Sequence, residues 1–139
     1  MNNLNSILIE GNLVMDSLTR QTPRGSTVCN FTIASSRFYK GQGGMEKEVC
    51  FFDIESWGKL AESCTGLGHK GRGVRVVGRL RQDRWMGADG KPHARIVIVA
   101  DHVEFRPEFK KEEPEILSED YEAEIPPEKE EIEEPVGVA

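Results

Sequence analysis

Strict apolar/polar alternation, repeated in separate stretches of this chain, limits its fold more than any other feature. In residues 28–36, VCNFTIASS, Cys29, Phe31 and Ile33 face one way and Asn30, Thr32 and Ala34 the other. In 49–57, VCFFDIESW, Cys50, Phe52 and Ile54 make an apolar face, opposed by Phe51, Asp53, Glu55 and Trp57. In 73–85, GVRVVGRLRQDRW, Val74, Val76 and Leu80 lie on one side with Gly78 between them. Arg75, Val77, Arg79, Arg81, Asp83 and Trp85 lie on the other. A period of two is the signature of a β-strand with unlike faces. Residues 94–105, ARIVIVADHVEF, differ: Ile96 and Ile98 are apolar on one side, Val97, Val99 and Val103 on the other. An antiparallel strand of that kind needs cover on both faces. Its own core supplies one cover; a partner subunit or a loop folded back supplies the second.

Between these stretches the signals are shorter. Residues 4–15, LNSILIEGNLVM, read as a strand that bends or bulges at Gly11. QTPRGS is turn-rich, and KGQGGMEKE (40–48) reads as a flexible charged loop. In GKLAESCTGLGHKG, Leu60, Ala61, Cys64 and Leu67 recur at helical spacing, while Gly66 and Gly68 keep the helix short. MGADGKP carries an Asp89-Gly90 turn signal that closes a hairpin. The sum is an all-β domain of four or five long strands, with one short helix between the third and fourth. A five-stranded Greek-key barrel of the OB type with extended β-hairpins fits that order. Periodicity admits another small barrel equally well.

The pattern stops after Phe105. Residues 107–139 hold 13 acidic and 3 basic side chains, rich in Glu and Pro, with no sustained period. Such a segment cannot bury enough apolar surface to offset the entropy of ordering it. We expect a domain over 1–106 and a disordered acidic tail over 107–139. The chain's net charge of −6 therefore hides a basic body, because residues 1–106 keep 15 bases against 11 acids. Cys29, Cys50 and Cys64 form no close pair, which argues against a disulfide framework and for a reducing compartment. There is no CxxC, and His69, His93 and His102 have no metal-ligand spacing, so no metal or cofactor is expected. Without a basic leader or an apolar run approaching the ~20 residues of a membrane span, a soluble cytoplasmic protein is expected.

Two faces carry unusual chemistry. Large aromatics stand on polar strand faces at Phe51, Trp57 and Trp85, and Tyr39 adds another just after the 28–36 strand. Basic side chains surround them: Arg37, Lys40, Lys47, Lys70, Arg72, Arg75, Arg79, Arg81 and Arg84. Unpaired nucleic acid offers phosphate charge and flat bases, and aromatics interleaved with Lys and Arg suit both. Two blander arrangements fit the same residues. Phe51 and Trp57 can pack beneath a loop, and the arginines can pair with Asp53 and Glu55 across a sheet. Catalysis finds little support. GLGHKGRG follows a helix and lacks the GK[ST] ending of a phosphate loop, and no Ser, Cys or Lys has an evident activating partner. A nucleic-acid binder is the leading expectation. An RNA-binding OB fold, or a protein-interaction module acting through the acidic tail, are the alternatives.

The stretches ILIEGNL, NFTIASS, WGKLAE and GRLRQDRW, over roughly residues 4–105, resemble the bacterial single-stranded DNA-binding protein family. The resemblance implies an OB fold, a homotetramer with single-stranded DNA wrapped around it, and service in replication, recombination and repair near the nucleoid. It implies that bases stack on Tyr39, Phe51, Trp57 and Trp85, with Tyr39 and Phe51 where tryptophan is often found. It also implies an acidic tail whose tip, acids followed by Pro-Phe, is gripped by replication and repair proteins. Here Glu133, Glu134 and Pro135 match that tip and Val136 to Ala139 do not, so recruitment is expected to depart from the usual rule.

Overall fold

The computed structural model describes residues 1–108. The expected tail, apart from its first two residues, lies outside them, as do Glu133, Glu134 and Pro135. In chain order the elements are β1 (Ile7–Leu13), β2 (Leu18–Gln21), β3 (Thr27–Gly41), β4 (Gly44–Trp57), α1 (Gly58–Leu67), β5 (Gly73–Met86) and β6 (Pro92–Phe105). The sheet order is β1-β5-β6-β4-β3-β2, and β1 also pairs with β3. That last pairing, Asn12 with Ala34 and Leu13 with Ile33, closes β1, β5, β6, β4 and β3 into a five-stranded barrel. The short β2 rides outside on β3. All pairings are antiparallel except β4 with β6, which touch in parallel at Ile54–Ile98 and Glu55–Val99. The helix falls where the order of long strands placed it, between β4 and β5.

Two glycines make closure possible. β1 pairs with β5 through Asn12 and reaches β3 at the same point. There a Cβ on Gly11 would sit 2.5 Å from the Ala34 carbonyl oxygen, so only glycine lets the backbones approach so closely. Gly78 lies at a register shift between β5 and β6, and a Cβ on it would run into the Val99 carbonyl. The bulge is on β6, which carries Asp101 as an extra residue between the partners of Val77 and Gly78.

The core joins Leu13, Phe31, Ile33, Ile54, Val74 and Val76 to Ala61 and Cys64 of α1. Burial pushes the Cys64 thiol up to about 11, against a weaker opposing hydrogen bond with Ser56. The sequence reading extended this core too far. Cys50 is exposed and Leu80 is 43 % exposed, because both stand on hairpin arms with no core element over them. Residues 40–48 are likewise no loop. β3 and β4 stay paired until Gly41 meets Gly44, leaving only Gln42 and Gly43 to turn. The run QTPRGS begins inside a strand, since β2 extends to Gln21. On β6, Val97, Ile98, Val99 and Ala100 are all buried within the single chain. Ile98 and Ala100 join the core, and Val97 and Val99 lie at the register of Arg81 and Arg79 on the other face. No partner subunit is required to cover them. Among the described residues no helix is long and apolar enough to cross a membrane.

Candidate nucleic-acid interface

Strand register places the predicted side chains. Val28 pairs with Trp57, Thr32 with Asp53 and Ala34 with Phe51. Across the barrel, Glu55 pairs with Val99, Val97 with Arg81, Arg95 with Asp83 and His93 with Trp85. Directly paired residues share a face and alternate residues keep it. Phe51, Asp53, Glu55, Trp57, Arg79, Arg81, Asp83, Trp85, His93 and Arg95 therefore occupy one face of β4, β5 and β6, opposite the core. Phe51, Trp57 and Trp85 are half-buried on it. Trp57 also caps α1 from an extended conformation (φ −125°, ψ 151°), so strand and helix both fix its backbone.

Tyr39 does not share that face. The β3–β4 register runs unbroken to the turn, so Tyr39 keeps the parity of Phe31 and Ile33. Its ring lies under the Arg37 guanidinium, 4.8 Å from the centroid, and its hydroxyl donates to Glu46 at 3.0 Å. The aromatic that continues the parity of Phe51 is Phe38, 64 % exposed, with the Lys47 ammonium 5.8 Å from its ring. Phe38 lies beyond residues 28–36, the stretch whose apolar residues mark the alternation; counting on from Thr32 through Ser36 reaches it.

The cations divide into spent and available. Arg81, expected to meet phosphate, instead turns into the sheet. It donates to Glu55 at 2.7 Å and to both oxygens of Asp83 at 2.8 and 3.2 Å. Burial alone would weaken the guanidinium's hold on its proton. Hydrogen bonds and charge from Asp83 and Glu55 outweigh burial and raise its pKa above the ordinary arginine value. The lattice continues through Arg95, 3.8 Å from Asp83 and 3.7 Å from Asp53, to the Thr32 hydroxyl, which donates to Asp53 at 2.7 Å. Pairing across the sheet, the blander arrangement, thus accounts for Arg81 through Glu55 and for Arg95 through Asp53. Arg72 is also committed: it packs on Phe105, donates to the Arg106 carbonyl at 2.9 Å and lies 3.7 Å from Glu108.

The remaining cations are accessible. Arg79 is half-exposed and only 3.8 Å from Asp101. Arg75 is shared between Glu10 and Glu104, and Arg37 pairs with Glu48. Such exposed pairs contribute only about 0–1 kcal/mol, so a phosphate can displace the carboxylate. Lys40 and Lys47 stand exposed on the β3–β4 arm, and Lys70 on the loop after α1. Arg84 falls on the face opposite Trp85, where it donates to Gln82. Trp85 itself is backed by His93, ring centroids 5.6 Å apart and planes 19° from parallel, and His93 meets Asp89 at 3.2 Å. The Lys91 backbone N–H, followed by His93, holds the Asp89 carboxyl below its ordinary range. An open depression of about 540 Å³ lies beside this hairpin, lined by Gln82, Arg84, Trp85, Met86, Pro92 and His93. Among the described residues, no cluster of His, Cys, Asp or Glu could hold a metal ion.

Residues 4–106 match the single-strand binding protein family. The chain belongs to that family. A single-stranded DNA-binding protein of Aquifex aeolicus is 38 % identical over 131 residues, covering 94 % of this chain and 86 % of that protein. Single-stranded DNA-binding protein 2 of Chlorobaculum tepidum is 36 % identical over 113 residues, covering 80 % and 76 %. Among solved structures, a Plasmodium falciparum SSB in complex with ssDNA superposes with a TM-score of 0.71 at 18 % identity, covering 77 % of this chain and 98 % of that one. At that identity the likeness speaks for the fold, and it is the OB barrel that the strand order suggested.

Proposed function

We infer that this protein binds single-stranded DNA with little regard to sequence. The observation that carries the reading is the common face of Phe51, Trp57 and Trp85, three aromatics turned away from the barrel core on a strongly charged sheet. Every base has a π-face, so stacking on such rings is tolerant of sequence and contributes about 1–3 kcal/mol per base. Arg79, Arg75, Lys47 and Lys40 supply displaceable cations for the backbone. The family match and the single-stranded DNA-binding relatives support the same ligand. Assembly as a homotetramer, and service in replication, recombination and repair, extend this reading by way of the family.

The test is a titration with oligo-dT at low salt, followed by light scattering of the complex. Trp57 and Trp85 fluorescence is expected to quench on binding, with scattering reporting four subunits per particle. Absence of quenching at low salt would overturn the ligand assignment. A clean dimer would overturn the tetramer alone.

A further inference from the structure

We propose that Glu55 is a positioning residue for base stacking: buried in the sheet and anchored by Arg81, it fixes the indole of Trp57 through the Nε1–H. This rests on the reading of Trp57 as a stacking side chain. The geometry is specific. Glu55 is fully buried, yet a single oxygen, Oε1, accepts from Trp57 Nε1 at 3.0 Å and from Arg81 Nη1 at 2.7 Å. Its Oε2 has no hydrogen-bond partner among the described residues.

As a device for stability this is poor. A buried carboxylate with an unsatisfied oxygen carries a desolvation cost that apolar packing in the same place would avoid. As a device for orientation it is effective. Glu55 and Trp57 are two residues apart on one strand, so their side chains emerge on the same face. Arg81 comes from β5, and Asp83 grips it through both carboxylate oxygens. The anchor is therefore tied to a second strand and cannot drift with the ring. A half-buried indole would otherwise be free to rotate about its side-chain torsions. With Nε1 bonded, its plane is set before the base arrives, and that ordering cost is removed from binding.

The experiment compares oligo-dT affinity for five proteins: the parent, Glu55→Met, Glu55→Gln, Trp57→Phe and the double variant Glu55→Met/Trp57→Phe, with Trp57→Ala as a control. Methionine keeps the volume and removes the acceptor; glutamine keeps an acceptor oxygen. Glu55→Met is expected to weaken binding on the order of tenfold, comparable to losing one hydrogen bond to a charged group. Glu55→Gln should restore most of it. Phenylalanine has no N–H, so adding Glu55→Met to Trp57→Phe should change affinity by less than about twofold. Any gain from a loosened Arg81 enters both backgrounds and cancels in this comparison.

An equal loss from Glu55→Met in both backgrounds would overturn the proposal. Unchanged affinity in Trp57→Ala would instead overturn the stacking role of Trp57 itself. Should Glu55→Met fail to fold, time-resolved fluorescence anisotropy of Trp57 in a Trp85→Phe background decides the matter. A fixed indole shows no large fast decay in the free protein, and a dominant fast component would refute the anchor.

Discussion

Replacing Arg81 separates a structural arginine from a phosphate-binding one. Its guanidinium lies 2.7 Å from Glu55 and 2.8 Å from Asp83, and those carboxylates are 0 % and 1 % exposed. Arg81→Ala leaves both charges buried without their main partner, a loss that typically costs about 3–5 kcal/mol. Arg95, 3.8 Å from Asp83, recovers part of it, so about 3 kcal/mol is expected. For a domain of this size that lowers the melting temperature by roughly 12–24 °C. Arg79→Ala is the contrast. Half-exposed and loosely paired with Asp101, Arg79 should change stability by no more than about 0.5 kcal/mol. It should instead reduce the slope of log affinity against log salt by about 0.7, the value for one phosphate on a single strand. Thermal unfolding followed by circular dichroism, together with oligo-dT titrations across a salt series at low temperature, measures both quantities. If Arg81→Ala keeps its melting temperature and flattens the salt slope as Arg79→Ala does, the buried lattice is misassigned and Arg81 belongs to the phosphate surface.

On the β3–β4 arm, Phe38→Ala is expected to weaken oligo-dT binding by about 1 kcal/mol, at least as much as Tyr39→Ala, since Phe38 shares the face of Phe51; titration of both variants would refute this if only Tyr39→Ala lost affinity. Gly78→Ala should destabilise the barrel by about 1–3 kcal/mol or more, because the new methyl meets the Val99 backbone rather than a side chain that can move; an unchanged denaturation midpoint would contradict the close approach. The Cys64 thiol titrates at about 11 in the folded protein against 9.0 for an unperturbed thiol. A raised pKa adds stability that is fully present below pH 9 and lost as pH climbs through 11, about 3 kcal/mol in all. Urea midpoints for Cys64→Ala should therefore fall less steeply than the parent's over that window, and parallel curves would refute the shift.

The fold was legible where alternation was long and uninterrupted. Residues 28–36, 49–57, 73–85 and 94–105 all became strands, and the helical spacing of Leu60, Ala61 and Cys64 became α1. Errors arose where alternation continued without apolar residues to mark it. The glycines and charges of 40–48 look like a loop because nothing there needs burying, yet ladder hydrogen bonds with the opposite strand hold them extended. Cys50 and Leu80 were misplaced for a different reason. Period two assigns a face, but whether anything lies over that face depends on how far the arm runs past the barrel. On β6 the ambiguity resolved the other way: Val97 and Val99 are buried by their own chain beside the Arg81 lattice, while the bulge at Asp101 moves Val103 from their face to the core side, where it packs half-buried.

For the site, alternation put Phe51, Trp57, Arg79, Arg81 and Trp85 on polar faces, and register then joined those faces into one. It could not say which charges were still available. Asp53, Glu55 and Asp83 were visible on the same faces, but a carboxylate beside an arginine reads identically whether the pair is solvated or sealed. Burial decides. Glu55 and Asp83 are sealed and Asp101 is not, so Arg81 is consumed while Arg79 stays displaceable. That difference changes what the cluster in RLRQDRW can do. Of its three arginines, Arg81 holds the sheet together, Arg84 sits on the opposite face, and Arg79 alone keeps an exposed, loosely paired guanidinium on the face of Trp85, six residues along the strand from it. A surface built this way draws more of its affinity from stacking, and less from counterion release, than the count of its cations suggests.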